Sequence, residues 1–94
     1  MAYFALMYDL VEDYLVRRAE FREQHLKMAN DLRARGEIVL AGAFADPPDK
    51  ALLVFHTDDR SVPENFARKD PYVTNGLVKR WEVRAWTVVV GNPT

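Results

Sequence analysis

The chain opens on an apolar run, AYFALMY (Ala2 to Tyr8), in which apolar and polar positions do not alternate. A strand with one wet face alternates with period two, so this run predicts a strand covered on both faces. Asp9, Glu12 and Asp13 follow. Asp9 can cap a helix, and the acids suit its positive end. From Val11 to about Arg35 the apolar residues recur at helical spacing, and Gly36 ends the pattern. EIVLAGAF (Glu37 to Phe44) predicts a second strand, again apolar on both sides. ADPPDK is a loop, because two prolines and two aspartates do not continue a strand. ALLVFHT (Ala51 to Thr57) predicts a third strand. DDRSVPENFARKD holds a short helix that starts near Ser61 with Pro63 in its first turn. DPYVTNGLV is a turn-rich connector, and KRWEVRAWTVVV (Lys79 to Val90) is a long last strand before a Gly-Asn-Pro tail.

The order β-α-β-β-α-β predicts an α+β, ferredoxin-like domain: a four-stranded antiparallel sheet with both helices on one face. The whole chain, residues 1–94, is read as one such domain. Helices on one face leave the other bare, yet the first three strands are apolar on both sides. A bare apolar sheet of that extent calls for a partner. A homodimer packed sheet on sheet, with a barrel-like core, meets the need.

Composition narrows the function. The 13 basic and 14 acidic residues give a net charge of −1 and are mixed along the chain, which offers no electrostatic case for nucleic acid or an anionic membrane. With 49% apolar and 29% charged residues the chain has an ordinary soluble composition. There is no cysteine, which excludes disulfides, thiolate metal sites and cysteine nucleophiles. No run approaches the roughly 20 apolar residues of a membrane span, and the start lacks the basic residues of a signal peptide. A cytoplasmic protein is expected.

The chemistry sits on the long helix. At about 100° per residue, Val11, Tyr14, Leu15, Ala19, Phe21, Leu26, Met28, Ala29 and Leu32 share one arc, while Glu20, Glu23, Gln24, Lys27, Asn30 and Asp31 fill the opposite one. Arg18, Arg22 and His25 lie inside the apolar arc, four and three residues apart. An arginine can lay its stem on a core and keep its head in water, and a single histidine there can be a hydrogen-bonded core residue. The functional reading is a polar pocket between helix and sheet; buried charge costs several kcal/mol unless paired, so three such groups need partners from elsewhere in the fold. Histidine titrates near neutrality and suits acid/base work. The acids off the helix are Asp9, Asp46, Asp49, Asp58, Asp59, Asp70 and Glu82. Asp46 and Asp49 belong to the proline loop, and Asp58 and Asp59 read as turn and cap residues. Asp70 opens DPYV, which by itself reads as an N-cap followed by proline at the first helical position.

RxxHL at Arg22 to Leu26, then Gly36, LAGAF at Leu40 to Phe44, and DPYV at Asp70 to Val73 together resemble the YCII-related (YciI-like) proteins. The resemblance runs through nearly the whole domain. It implies a ferredoxin-like fold that forms dimeric α+β barrels. It also implies a catalytic pair of His25 and Asp70, with Tyr72 at the aromatic position and Arg22 before the histidine. One branch of that family is linked to dehydrochlorination of chlorinated hydroxyquinol-type aromatics. Members often place Gly-Pro after the second strand. Here Gly42 is followed by Ala43 and Phe44, and the next loop is short, which bears on substrate specificity.

On this reading His25 moves a proton on a small oxygenated ring, Arg22 holds an anionic oxygen, and Tyr72 and Phe44 line the pocket, without a cofactor. The alternative is a non-catalytic ligand-binding or accessory dimer, in which His25 and Asp70 are structural. A cofactorless oxygenase is a third reading, by analogy of fold. A metal site is not expected. A paired His25/His56 site would need a third ligand, and no His-x-His or His-Glu-x-x-His spacing occurs. KRWEVRAW alternates basic and aromatic residues, but ALLVFHT lacks the glycine and aromatics of an RNA-recognition strand. Trp81 and Trp86 are expected to pack at the sheet or the dimer interface.

Overall fold

The computed structural model describes residues 2–91. Four strands, β1 (Tyr3–Leu10), β2 (Ile38–Ala43), β3 (Lys50–His56) and β4 (Val78–Trp86), form one antiparallel sheet in the order β2-β3-β1-β4. α1 (Tyr14–Arg17) and α2 (Arg22–Ala34) lie between β1 and β2 in sequence, and α3 (Ser61–Lys69) and α4 (Pro71–Thr74) between β3 and β4. This is the expected α+β, ferredoxin-like fold.

Register decides which side chains meet the helices. Along β1 the alternate residues Phe4, Leu6, Tyr8 and Leu10 are buried. Leu6 stands opposite Leu53 on β3 and Val83 on β4, which are also buried. Tyr14, Ala29, Phe66 and Tyr72 come down from the helical layer and complete one core with them. Burying each large apolar side chain is worth about 1.5–3 kcal/mol, so a slip by one residue would forfeit the whole set. The other face of the sheet carries Ala5, Met7, Leu52 and Val54 toward its middle and Leu40 and Trp86 toward its edges. Leu40 and Trp86 are exposed.

The long helix differs from its expected form. It divides into α1, a 3₁₀ turn (Arg18–Glu20) and α2, with Phe21 off the helical line at φ −112° and ψ −2°. Arg17 donates to the backbone carbonyls of Asn75 and Gly76, so the first segment is tied to the end of α4 while α2 follows the sheet. The break rotates the phase of the apolar arc, and Leu15 and Leu26 are exposed. Gly36 ends α2 as expected: at φ +78° it donates to Arg33 O while Glu37 N–H reaches Leu32 O, closing a Schellman motif. Gly76 (φ +79°) repeats the motif after α4, with Leu77 N–H on Tyr72 O, and delivers Leu77 fully buried into the core.

Two further boundaries moved. β4 ends at Trp86 rather than Val90, because Trp86 pairs with Tyr3, the first residue of β1, and no strand remains to pair residues 87–90. The connector DPYVTNGLV contains α4, one turn of helix set by Asp70 and Pro71. The tail expected after the last strand lies, beyond Gly91, outside the described residues.

Candidate active site

Asp70 is placed by its neighbours in sequence. The residue before a proline is pushed toward extended backbone, so α3 stops and Asp70 sits at φ −62° and ψ 123°. Pro71 then starts α4, and the Asp70 side chain caps it by accepting from Tyr72 N–H at 3.0 Å. The same carboxylate accepts from the Tyr8 hydroxyl at 2.7 Å, and His25 Nδ1 lies 2.9 Å from Oδ1 and 3.0 Å from Oδ2. Asp70 is 0% exposed. Isolated burial of such a carboxylate would cost several kcal/mol, and donors from β1, α2 and α4 offset it.

His25 is held as firmly. Its ring stacks on Tyr72 with centroids 4.0 Å apart and planes 12° from parallel, and the edge of Phe66 closes a second side at 6.1 Å. With Nδ1 on the carboxylate, Nδ1 is the donor and Nε2 is left for a ligand.

His25 forms part of the wall of a cavity of about 150 Å³ between the helical layer and the sheet, together with Tyr8, Tyr14, Arg18, Arg22 and Tyr72. Ala41 and Ala43 of β2 and Ala51 and Leu53 of β3 are its apolar side. The Arg18 guanidinium lies 5.5 Å from the centre of the Tyr14 ring. Burial pushes the Tyr72 hydroxyl up to about 12, helped by Tyr14 and resisted by Arg18 and Arg22. Burial, then the charge and hydrogen bond of Asp70, pushes Tyr8 far above the ordinary tyrosine range. Both phenols are therefore neutral donors at physiological pH.

Of the residues named from the sequence, His25, Asp70, Arg22 and Tyr72 come together here, and Arg18 joins them. Phe44 does not. It is 52% exposed and lies with Leu40, Leu52 and Val54 on the opposite face of the sheet. Parity explains the error: Ala43 points inward opposite Ala51, so its neighbour points away. Tyr8 was missed. The available signal was its place in the inward set of β1, because a buried tyrosine hydroxyl needs a partner. His56 belongs to the other face, stacked on Tyr3 with centroids 4.5 Å apart. Trp81 packs against the core, and Trp86 lies on the uncovered face. Among the described residues no three or more His, Asp or Glu side chains group to hold a metal ion.

No helix among the described residues is long and apolar enough to cross a membrane. Three solved structures share the fold. The 5-chloro-2-hydroxyhydroquinone dehydrochlorinase TftG from Burkholderia phenoliruptrix AC1100, solved with 2,5-dihydroxybenzoquinone, is 19% identical, with a TM-score of 0.71 over 93% of this chain and 94% of its own. Protein Atu4242 from Agrobacterium tumefaciens is 14% identical, with a TM-score of 0.64 over 99% and 98%. A protein from Deinococcus radiodurans, provisionally assigned as an antibiotic biosynthesis monooxygenase, is 16% identical, with a TM-score of 0.56 over 98% and 96%. A comparison with curated protein sequences finds no match. The YCII-related domain matches residues 1–87, which hold every strand and helix described above, and the chain belongs to that family.

Proposed function

We propose that this protein is a small-molecule enzyme that uses His25 and Asp70 as an acid/base pair, without a cofactor, in an elimination or isomerisation of a small oxygenated ring. The observation that carries this reading is the contact of His25 Nδ1 with a fully buried Asp70 beside the cavity. Asp70 fixes the tautomer, the Tyr72 stack fixes the ring plane, and Nε2 takes the proton. In an elimination the electrons of the broken C–H or O–H bond move into the ring, and the leaving group departs with its bonding pair. Arg22 holds the oxygen on which negative charge gathers. A cavity of about 150 Å³ is of the size that takes one benzene-sized ring. The fold shared with a dehydrochlorinase solved with 2,5-dihydroxybenzoquinone supports a chlorinated hydroxyhydroquinone as the first compound to try.

The acting form is a homodimer joined through the uncovered face of the sheet. Leu40, 70% exposed, and Trp86, 47% exposed, are the apolar residues it would cover.

The test is chloride release from 5-chloro-2-hydroxyhydroquinone by the wild-type protein, His25→Ala and Asp70→Asn. Loss of at least about 100-fold in both variants, with the fold retained at the assay temperature, is expected of an acid/base pair. Turnover that survives His25→Ala would sink the reading. The alternative, a non-catalytic ligand-binding or accessory dimer, draws on the second task of Asp70 as the cap of α4. It predicts ligand binding without turnover and variants that lose fold rather than rate.

A further inference from the structure

The two arginines beside the cavity break a rule that six of the other seven keep. Arg17, Arg33, Arg35, Arg60, Arg68 and Arg80 each reach a carbonyl, amide or carboxylate oxygen. Among the described residues Arg18, Arg22 and Arg84 reach none. Arg84 points from the uncovered face of the sheet, whereas Arg18 and Arg22 line the cavity.

Local sequence offers these two no relief. The residues three and four positions from Arg18 are Tyr14, Leu15, Phe21 and Arg22. Those around Arg22 are Arg18, Ala19, His25 and Leu26. No acid stands at those positions, and both arginines line the same cavity, Arg18 half-buried and Arg22 from an exposed position. The nearby buried carboxylate, Asp70, is taken by Tyr8, His25 and Tyr72 N–H. Arg18 has only the face of Tyr14, at 5.5 Å. The Tyr72 hydroxyl feels both guanidinium charges and stays protonated up to about 12, so it adds a neutral donor beside two cations.

We infer that Arg18 and Arg22 form an anion subsite of the cavity, and that its ligand class is a one-ring acid: a carboxylate, or an ionised phenol or enol. A planar guanidinium fork matches paired anionic oxygens, and the free protein supplies none. The cavity volume of about 150 Å³ limits the ligand to one ring. This deepens the proposed function by naming the substrate's charge. It rests on the cavity being a ligand site but not on His25 being a catalyst.

The test uses two isosteric rings of different charge. The ¹⁵N-labelled full chain is titrated with benzoate and with benzamide at low salt. Benzoate is expected to bind at least about tenfold more tightly, as loss of one charged hydrogen bond implies. Its shifts should include His25 and the side chains of Arg18 and Arg22, and its affinity should fall as salt rises. Arg18→Gln and Arg22→Gln are each expected to weaken benzoate by about tenfold and to leave benzamide unchanged. Arg22→Lys, which keeps charge but loses the fork, should fall between. Equal affinity for the two rings, benzoate binding indifferent to both glutamine variants, or no benzoate binding would overturn the proposal. Benzoate binding is read without turnover, which separates this from the acid/base reading: binding weakened by Arg18→Gln and Arg22→Gln supports the subsite even if His25→Ala leaves turnover unchanged.

Discussion

Asp70 meets His25 through both of its oxygens, with Nδ1 at 2.9 Å from one and 3.0 Å from the other, across 45 residues of sequence. The same carboxylate starts α4. One side chain therefore ties the helical layer together and orients the imidazole, and the two tasks can be separated by substitution.

Asp70→Ala removes the cap of α4 and leaves the Tyr8 hydroxyl and His25 Nδ1 without their acceptor. A loss of about 3 kcal/mol in folding stability is expected, the sum of a cap and buried donors left unmade. Asp70→Asn keeps an acceptor for Tyr72 N–H and should lose much less. Urea denaturation of both variants checks this, and equal losses would mean that the cap does not matter.

Tyr8→Phe deletes the donor to Asp70 Oδ2 and keeps the ring in the core. The expected cost is about 1–2 kcal/mol. Urea denaturation measures it, and an unchanged midpoint would mean that the hydroxyl adds nothing to the Asp70 carboxylate.

Alkaline pH should destabilise the fold. Tyr72 is pushed from 10.0 up to about 12, and Tyr8 is raised further, so the unfolded chain releases both protons at lower pH than the folded chain. The stability they contribute is complete below pH 10 and falls as pH rises from there through 12. Denaturation midpoints between these limits should drop steadily, and Tyr8→Phe should make the drop shallower. A flat profile would mean that neither phenol is held protonated by the fold.

Leu40→Glu puts a charge on the uncovered face of the sheet without touching the cavity. Sedimentation should show the wild-type protein as a dimer and the variant as a monomer. A monomeric wild-type protein would remove the dimer from the proposal.

Gly36→Ala isolates a backbone effect. Gly36 has φ +78°, and a Cβ added there meets nothing within 4 Å. The cost is therefore conformational, about 1–2 kcal/mol, with no steric part. Thermal unfolding measures it, and a neutral result would mean that α2 can end without the left-handed residue.

The elements were legible because each carries its own period or stop signal. The apolar runs of β1 and β3, the glycine after α2 and the Ser61 start of α3 fall where they were expected. The errors occur where a distant segment decides. The long helix breaks near Phe21 while Arg17 answers to the carbonyls of Asn75 and Gly76, a tie that no helical wheel contains. β4 stops at Trp86 because its partner β1 begins at Tyr3, and Val88 to Val90 are apolar without being paired. Phe44 was misplaced by one step of strand parity.

The sequence by itself determined the order of the elements, the polar strip of Arg18, Arg22 and His25, and the cap that makes Asp70 start a helix. These follow from local backbone preference and from spacing along one segment. Only the tertiary structure decided that the Asp70 carboxylate also meets Tyr8 and His25, that Tyr72 stacks on the imidazole, and that the two arginines have no internal anion. Those facts depend on which faces of β1, α2 and α4 meet. That meeting is set by burial of the shared core, which no single segment encodes.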